Sequence, residues 1–243
     1  MSPNVLHRRT LLSRAASAAA SLAVGQMAVS CAAEQVTGSP SVPAGCVLTA
    51  ALTEGPFFVD EKLNRSDIRS DPASGAVAAG TLLTLTFNVS RVESSACTPL
   101  TGAYLDVWHA DAAGVYSDVS GAGVGKRFLR GYQITDAAGA AQFTTVYPGW
   151  YQGRPVHIHF KLRLFAGTSK TYEFTSQFFF DESVTDVVHT ATPYAAKGRR
   201  DTLNSADGIF NSLTTSEKTA LTMRPTASGA AYAGTIDLGV RLT

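Results

Sequence analysis

The sequence predicts an all-β fold, an antiparallel β-sandwich with long loops and few short helices. Three observations carry this expectation. Apolar residues recur at every second position in several separate runs, as in strands that turn one face to a core. Turn signals such as Asp136-Ala-Ala-Gly139 and Pro148-Gly149 punctuate those runs. Windows with a helical period are few, which favours sheet packed on sheet.

In chain order, the first run sets Leu83, Leu85, Phe87 and Val89 against Thr84, Thr86 and Asn88. The second sets Ala103, Leu105 and Val107 against Tyr104, Asp106 and Trp108. A strand–turn–strand pattern follows around Asp136-Ala-Ala-Gly139 and Phe143. The next run sets Ile158, Phe160, Leu162 and Leu164 against His157, His159, Lys161 and Arg163. Its apolar face suits the space between two sheets. Its other face begins with imidazoles and ends with cations read as solvated, so a site is expected at one end of the strand. Residues 172–180 alternate again, a short helix is expected around 184–196, and Ile236, Leu238, Val240 and Leu242 close the pattern.

The 243 residues suffice for one sizeable domain. A hydrophobic content of 45% with 16% charged residues describes a globular body. The net charge of +1 leaves no basic footprint for nucleic acid. Residues 1–31 read as an export signal of twin-arginine type: Arg8, Arg9 and Arg14 occur without acids, and an Ala/Ser/Leu/Val stretch follows. That stretch is too short, and too interrupted by Ser and Gln, to hold as a spanning helix. Loss of the three arginines takes the formal charge from +1 to −2. Ala28-Val29-Ser30-Cys31 resembles a lipoprotein cleavage box, which makes Cys31 a candidate lipidation site and a lipid anchor a candidate membrane partner. A Gly/Ser/Pro/Val linker over 32–45 then leads into a domain over 46–243. The expected location is outside the cytoplasm: periplasmic, on the cell surface, or secreted. There Cys46 and Cys97 form an even pair and are expected to be disulfide-bonded, with two buried free thiols as the alternative.

The chemistry concentrates in Tyr151-Gln-Gly-Arg154-Pro-Val-His157-Ile-His159, with Tyr116 upstream. His157 and His159 share one face of a strand. Two imidazoles with phenolic oxygens close by make a mixed nitrogen and hard-oxygen site, which suits high-valent iron better than zinc or copper. Each piece also has a plain reading. Tyr116 and Tyr151 are of types that commonly pack beside turns. His-Ile-His alone fits a cupin-like metal pair, although Leu162 and Arg163 stand where a cupin would carry glutamate. Tyr147, Trp150 and Tyr151 fit the flat platform of an exported non-catalytic binding module. His109 is not expected to be a ligand, and His7 and His189 read as signal or surface residues.

Taken together, the pieces resemble the intradiol ring-cleavage dioxygenases, the family of catechol 1,2- and protocatechuate 3,4-dioxygenases. The matching segments are Thr53-Glu-Gly-Pro-Phe-Phe58, Leu105-Asp-Val-Trp-His-Ala-Asp-Ala-Ala-Gly-Val-Tyr116, Tyr132-Gln-Ile-Thr-Asp-Ala-Ala-Gly139, Pro148-Gly-Trp-Tyr151, Arg154-Pro-Val-His-Ile-His159 and Gln177. The resemblance implies a non-haem Fe(III) held by Tyr116, Tyr151, His157 and His159. It implies cleavage of a catechol-type ring by O2 between the hydroxyl-bearing carbons, giving a muconate-type diacid. It assigns Tyr151 to displacement and proton uptake, Arg154 to stabilising negative charge on the ring, and Gln177 to a supporting hydrogen bond. Trp108, Pro56 and Phe57 become candidate walls of the substrate pocket. Arg65 and Arg69, which follow the Thr53–Phe58 segment, are either candidate partners for a substrate carboxylate or solvated loop charges.

Overall fold

The structure, a computed structural model, describes residues 46–94, 96–119 and 121–242. The expected signal peptide, Cys31 and the linker over 32–45 lie outside the described residues. Among the described residues ten strands form: β1 (Leu82–Val92), β2 (Cys97–Pro99), β3 (Tyr104–Trp108), β4 (Arg130–Ile134), β5 (Ala140–Val146), β6 (His157–Ala166), β7 (Ser169–Phe180), β8 (Thr222–Met223), β9 (Thr226–Ser228) and β10 (Ala231–Val240). They build two five-stranded sheets. One runs β2-β1-β10-β9, with β5 also paired to β1; the other runs β4-β3-β6-β7-β8.

The sandwich is therefore as the period-2 runs predict, but its sheets are mixed. β1 pairs with β10 in parallel, as β7 does with β8, while the remaining ladders are antiparallel. The parallel β1–β10 pair joins strands far apart in the chain, and the long connection supplies the crossover such a pair needs. Alternation within a strand carries no information about the direction of its partner. The turn at 136–139 is also not a simple hairpin: β4 and β5, which flank it, belong to different sheets.

The inward faces interlock. Leu83, Leu85, Phe87, Phe143, Ile236 and Leu238 from one sheet share a core with Leu105, Val107, Ile158, Phe160, Leu162 and Phe178 from the other. Phe87 centres it, with ring centroids 5.9 Å from Phe143 and 6.0 Å from both Phe160 and Phe178.

Between β7 and β8 the chain forms α1 (Glu182–Val188), α2 (Gly208–Asn211) and α3 (Thr215–Ala220). Each begins at a side-chain cap: Asp181, Asp207, and Thr214 in a capping box with Glu217. The helix expected over 184–196 is shorter than the sequence suggests. It stops at Val188, and only a 3-10 turn, Tyr194–Lys197, follows after Pro193, which has no N–H to carry a helical ladder across it. Among the described residues no helix is long and apolar enough to cross a membrane. Cys46 and Cys97 are disulfide-bonded, with Cα atoms 5.3 Å apart, and so tie the start of the described chain to β2.

The outer face of β6 departs from its sequence reading. Lys161 and Arg163 are 4% and 8% exposed. Lys161 pairs with Glu54 and Glu173, and Arg163 with Asp60 and Asp106. These cations are buried and matched rather than solvated, because the 53–60 segment lies across them. Burial pushes the Asp106 carboxyl up to about 7, against the pull of Arg163.

Candidate metal centre

His157 and His159 occupy the first turn-facing positions of β6, on the face away from the main core. β3 and β7 flank them, with Trp108 opposite His159 in one ladder and Gln177 opposite it in the other. Tyr116 arrives from the loop after β3, and Tyr151 from the loop before β6. The two loops meet because residue 114 is glycine: its φ is +81°, and a Cβ there would collide with the Trp150 carbonyl.

Four donor atoms converge. The Nε2 atom of His157 lies 3.1 Å from His159 Nε2, 3.4 Å from the Tyr116 hydroxyl and 3.3 Å from the Tyr151 hydroxyl. His157 Nδ1 is 2.7 Å from the Pro155 carbonyl. A carbonyl only accepts, so Nδ1 carries the hydrogen and the Nε2 lone pair faces the other donors. Burial, then Arg154, pulls the His157 imidazole down to about 3. Burial, then the adjacent His157, holds His159 well below its usual range. Both rings are therefore neutral near pH 7, the form in which imidazole binds a metal. Burial pushes Tyr116 well above the ordinary phenol range, and Tyr151 rises for the same reason, partly offset by Arg154. These oxygens need a nearby cation to become phenolates.

This donor set fits one small metal ion. Ligands about 2.0–2.2 Å from a shared centre stand about 3.0–3.5 Å from each other, and the separations from His157 Nε2 span 3.1–3.4 Å. Neutral nitrogens paired with phenolic oxygens match the hard-ion chemistry expected from sequence.

Around the donors stands an apolar wall distinct from the main core. Trp108 stacks on His159, with centroids 5.1 Å apart and an interplanar angle of 8°. Phe57 stacks on Tyr116 at 4.3 Å and meets Tyr151 edge-on at 5.7 Å. Pro56 sits beside it on an exposed turn. Arg154 donates from Nε to Asp207 Oδ2 at 2.8 Å and from its terminal nitrogen to Gln177 Oε1 at 2.6 Å. Asp207 Oδ1 also accepts from the Phe210 amide and so caps α2.

Other candidates fall elsewhere. Arg65 donates to the carbonyls of Ser70, Arg127 and Arg130, so its guanidinium holds loops together instead of facing a substrate. Arg69 pairs with its neighbour Asp67. His109 is fully buried, with its ring nitrogens bonded to Ala110 and Thr145, and is no ligand. His189 is not a surface residue: it is half-buried, stacks on Tyr194 and bonds the Pro148 carbonyl. Tyr147 is fully buried against Phe180 and Thr185 and cannot join an exposed platform.

Two residues of the site went unread in the sequence. Asp207 was legible as a helix cap, standing before Gly208-Ile-Phe, but not as the partner of Arg154. Arg130 is 2% exposed and bonds Ser117 and the Phe57 carbonyl, joining the Tyr116 loop to the aromatic wall. No periodicity marks a buried arginine that serves backbone carbonyls.

A two-layer β-sandwich here gathers two tyrosines and two histidines at one end of a strand, a donor set with room for one metal ion. Residues 53–207 match the family model described as Dioxygenase, and the chain belongs to that family, the intradiol ring-cleavage dioxygenases. It is similar to an intradiol ring-cleavage dioxygenase from Tetranychus urticae, at 30% identity and a TM-score of 0.66, covering 81% of this chain and 95% of that one. It is also similar to the dioxygenase domain of a carbohydrate-binding fusion protein from Streptomyces sp. SirexAA-E, at 27% identity and a TM-score of 0.57, covering 81% of this chain and all of that one. A chlorocatechol 1,2-dioxygenase of Rhodococcus opacus is 29% identical over 136 residues, 47% of this chain and 51% of the relative. The chain spans about half the length of the curated relatives it matches.

Proposed function

We propose that this chain is a non-haem Fe(III) dioxygenase of catechol-type rings. It inserts both atoms of O2 between the two hydroxyl-bearing carbons and releases a muconate-type diacid. The observation that carries the reading is the approach of Tyr116, Tyr151 and His159 to within 3.1–3.4 Å of His157 Nε2. Iron is general to the family. Bound at these donors, ferric iron supplies Lewis acidity toward the catechol oxygens and the charge that holds both tyrosines as phenolates.

The protein's own groups do the rest. His157, oriented by the Pro155 carbonyl, and His159, held neutral by burial, present lone pairs at no cost in deprotonation. Tyr151 is half-buried and lies beside Arg154, whereas Tyr116 is 5% exposed under Phe57. Tyr151 Oη is thus the phenolic oxygen placed to take a proton from an incoming catechol and pass it to solvent. Arg154, fixed by Asp207 and Gln177, stabilises the negative charge that builds on the ring. Trp108 and Phe57 exclude water and set the plane in which an aromatic ring enters.

Oxygen uptake measured with catechol, protocatechuate and hydroxyquinol tests the reading and ranks the substrates. The expected result is one O2 consumed per ring, with the absorbance of a muconate-type product, and loss of both in His159→Ala. Iron-loaded protein that consumes no O2 with any catechol contradicts it.

We also propose that the protein matures outside the cytoplasm, with residues 1–31 directing export. The Cys46–Cys97 bond supports an oxidising compartment. The intact mass of the mature protein decides between simple cleavage and a diacylglycerol on Cys31. An uncleaved cytoplasmic chain contradicts export.

A further inference from the structure

Beneath the aromatic wall lies a charged group with no part in the metal chemistry. Lys161 stands two residues beyond His159 on the same face of β6 and is 4% exposed. Its ammonium pairs with Glu54 and lies 3.3 Å from Glu173 and 4.0 Å from the Phe58 ring centroid. Glu54 and Phe58 belong to the segment 53–58 that walls the donors. Gly55, at φ +68°, brings that segment's backbone against His159: a Cβ there would stand 3.6 Å from His159 Cε1. Phe57 covers Tyr116 and Tyr151, and Phe58 packs edge-on against Trp108 at 4.9 Å. The segment has no strand or helix of its own over 53–58, so side-chain ties set its position.

We infer that Lys161 is a positioning residue: its contacts with Glu54 and Phe58 form a latch that fixes the 53–58 wall over the substrate site and so governs substrate affinity. This rests on the proposed function for its substrate but not for its geometry. A buried ammonium matched by two carboxylates and one ring face has a directional demand that an apolar side chain lacks. It ties a loop whose apolar groups alone would tolerate several positions. Beside these ring contacts, two hydrogen bonds reach the segment's backbone: Arg130 bonds the Phe57 carbonyl at 2.7 Å, and Gln177 the Thr53 carbonyl at 3.4 Å.

Glu54→Gln separates the latch from the stability of the core. The Glu54 side chain is 40% exposed, and in its absence Glu173 still pairs with Lys161. Hydrogen exchange of the protein as isolated is expected to rise about tenfold at the Gly55 amide, which donates to Thr53 Oγ1, while β6 stays protected and Tm changes little. KM for a catechol is expected to rise about fivefold with kcat within twofold of wild type. Lys161→Met is expected to show the same pattern, and the double variant to be no worse than Lys161→Met alone. Unchanged exchange in Glu54→Gln, raised exchange with unchanged KM, or additive effects in the double variant overturn the latch. Should the wild-type protein turn over no catechol, the proposed function fails, and the exchange comparison still decides the latch.

Discussion

Asp207→Asn isolates the contribution of Arg154's orientation. Asp207 is 4% exposed and holds Arg154 through Oδ2, while its Oδ1 caps α2. Asparagine caps a helix about as well as aspartate, so one carbonyl oxygen can keep the Phe210 amide satisfied. The other position becomes an amide N–H facing the Arg154 Nε–H, and donor then meets donor. The Arg154 side chain is 17% exposed, and Gln177 still accepts from it. The stability loss is therefore below the ~3–5 kcal/mol for breaking a fully buried pair, and about 1–3 kcal/mol is expected. The kinetic effect should be larger, since a displacement of about 1 Å in a catalytic group costs about 100-fold. Steady-state O2 uptake should show kcat/KM falling about 10- to 100-fold, with iron content and the visible spectrum unchanged, because no metal donor is touched. Asp207→Ala should add the loss of the cap, about 1 kcal/mol. Full activity in Asp207→Asn would show that Arg154 needs no such clamp, and would refute its assigned role.

Further outcomes follow from the same geometry. Tyr116→Phe removes a buried phenol from the donor set and should lower bound iron severalfold and shift or bleach the visible band, as read by metal assay and spectroscopy. Arg154→Ala should keep iron and colour and lose most turnover. Burial pulls the fully buried His109 down to about 4, below the ~6.5 of an unfolded chain. Protons then bind the unfolded state more readily, so this residue costs nothing above pH 6.5 and erodes stability as pH falls from about 6.5 to 4, by about 1.4 kcal/mol per unit. Denaturant melts of wild type and His109→Gln across that window should diverge at acid pH, with the variant losing less. Removing the Cys46–Cys97 bond, whose partners are 51 residues apart, should cost up to about 4 kcal/mol on the chain-entropy model. Chemical denaturation of a Cys46→Ser/Cys97→Ser variant measures that loss, and activity should remain.

The strands and the histidine pair were legible because each imposes a local pattern, whereas Tyr116 and Tyr151 stood out only through the family resemblance. Period two in Leu83–Val89 and Ile158–Leu164 reports burial of one face, and the His-x-His spacing reports a shared face of β6. Strand direction was not legible, since β1 alternates in the same way whether β10 runs with it or against it. The fates of Lys161 and Arg163 were hidden for a related reason. On a strand's outer face a cation reads as solvated unless the covering segment is known, and that segment, 53–60, has no periodicity of its own. Asp207 and Arg130 serve the site through contacts with residues distant in sequence, which leave no trace in the neighbouring sequence.

Iron content and visible spectrum, measured together on the freshly purified protein, test the central claim most directly. Convergence of Tyr116, Tyr151, His157 and His159 on one ferric ion predicts about one iron per chain and a broad tyrosinate-to-Fe(III) charge-transfer band that shifts when a catechol is added. A colourless protein carrying stoichiometric iron, or one that binds no iron at all, would contradict it.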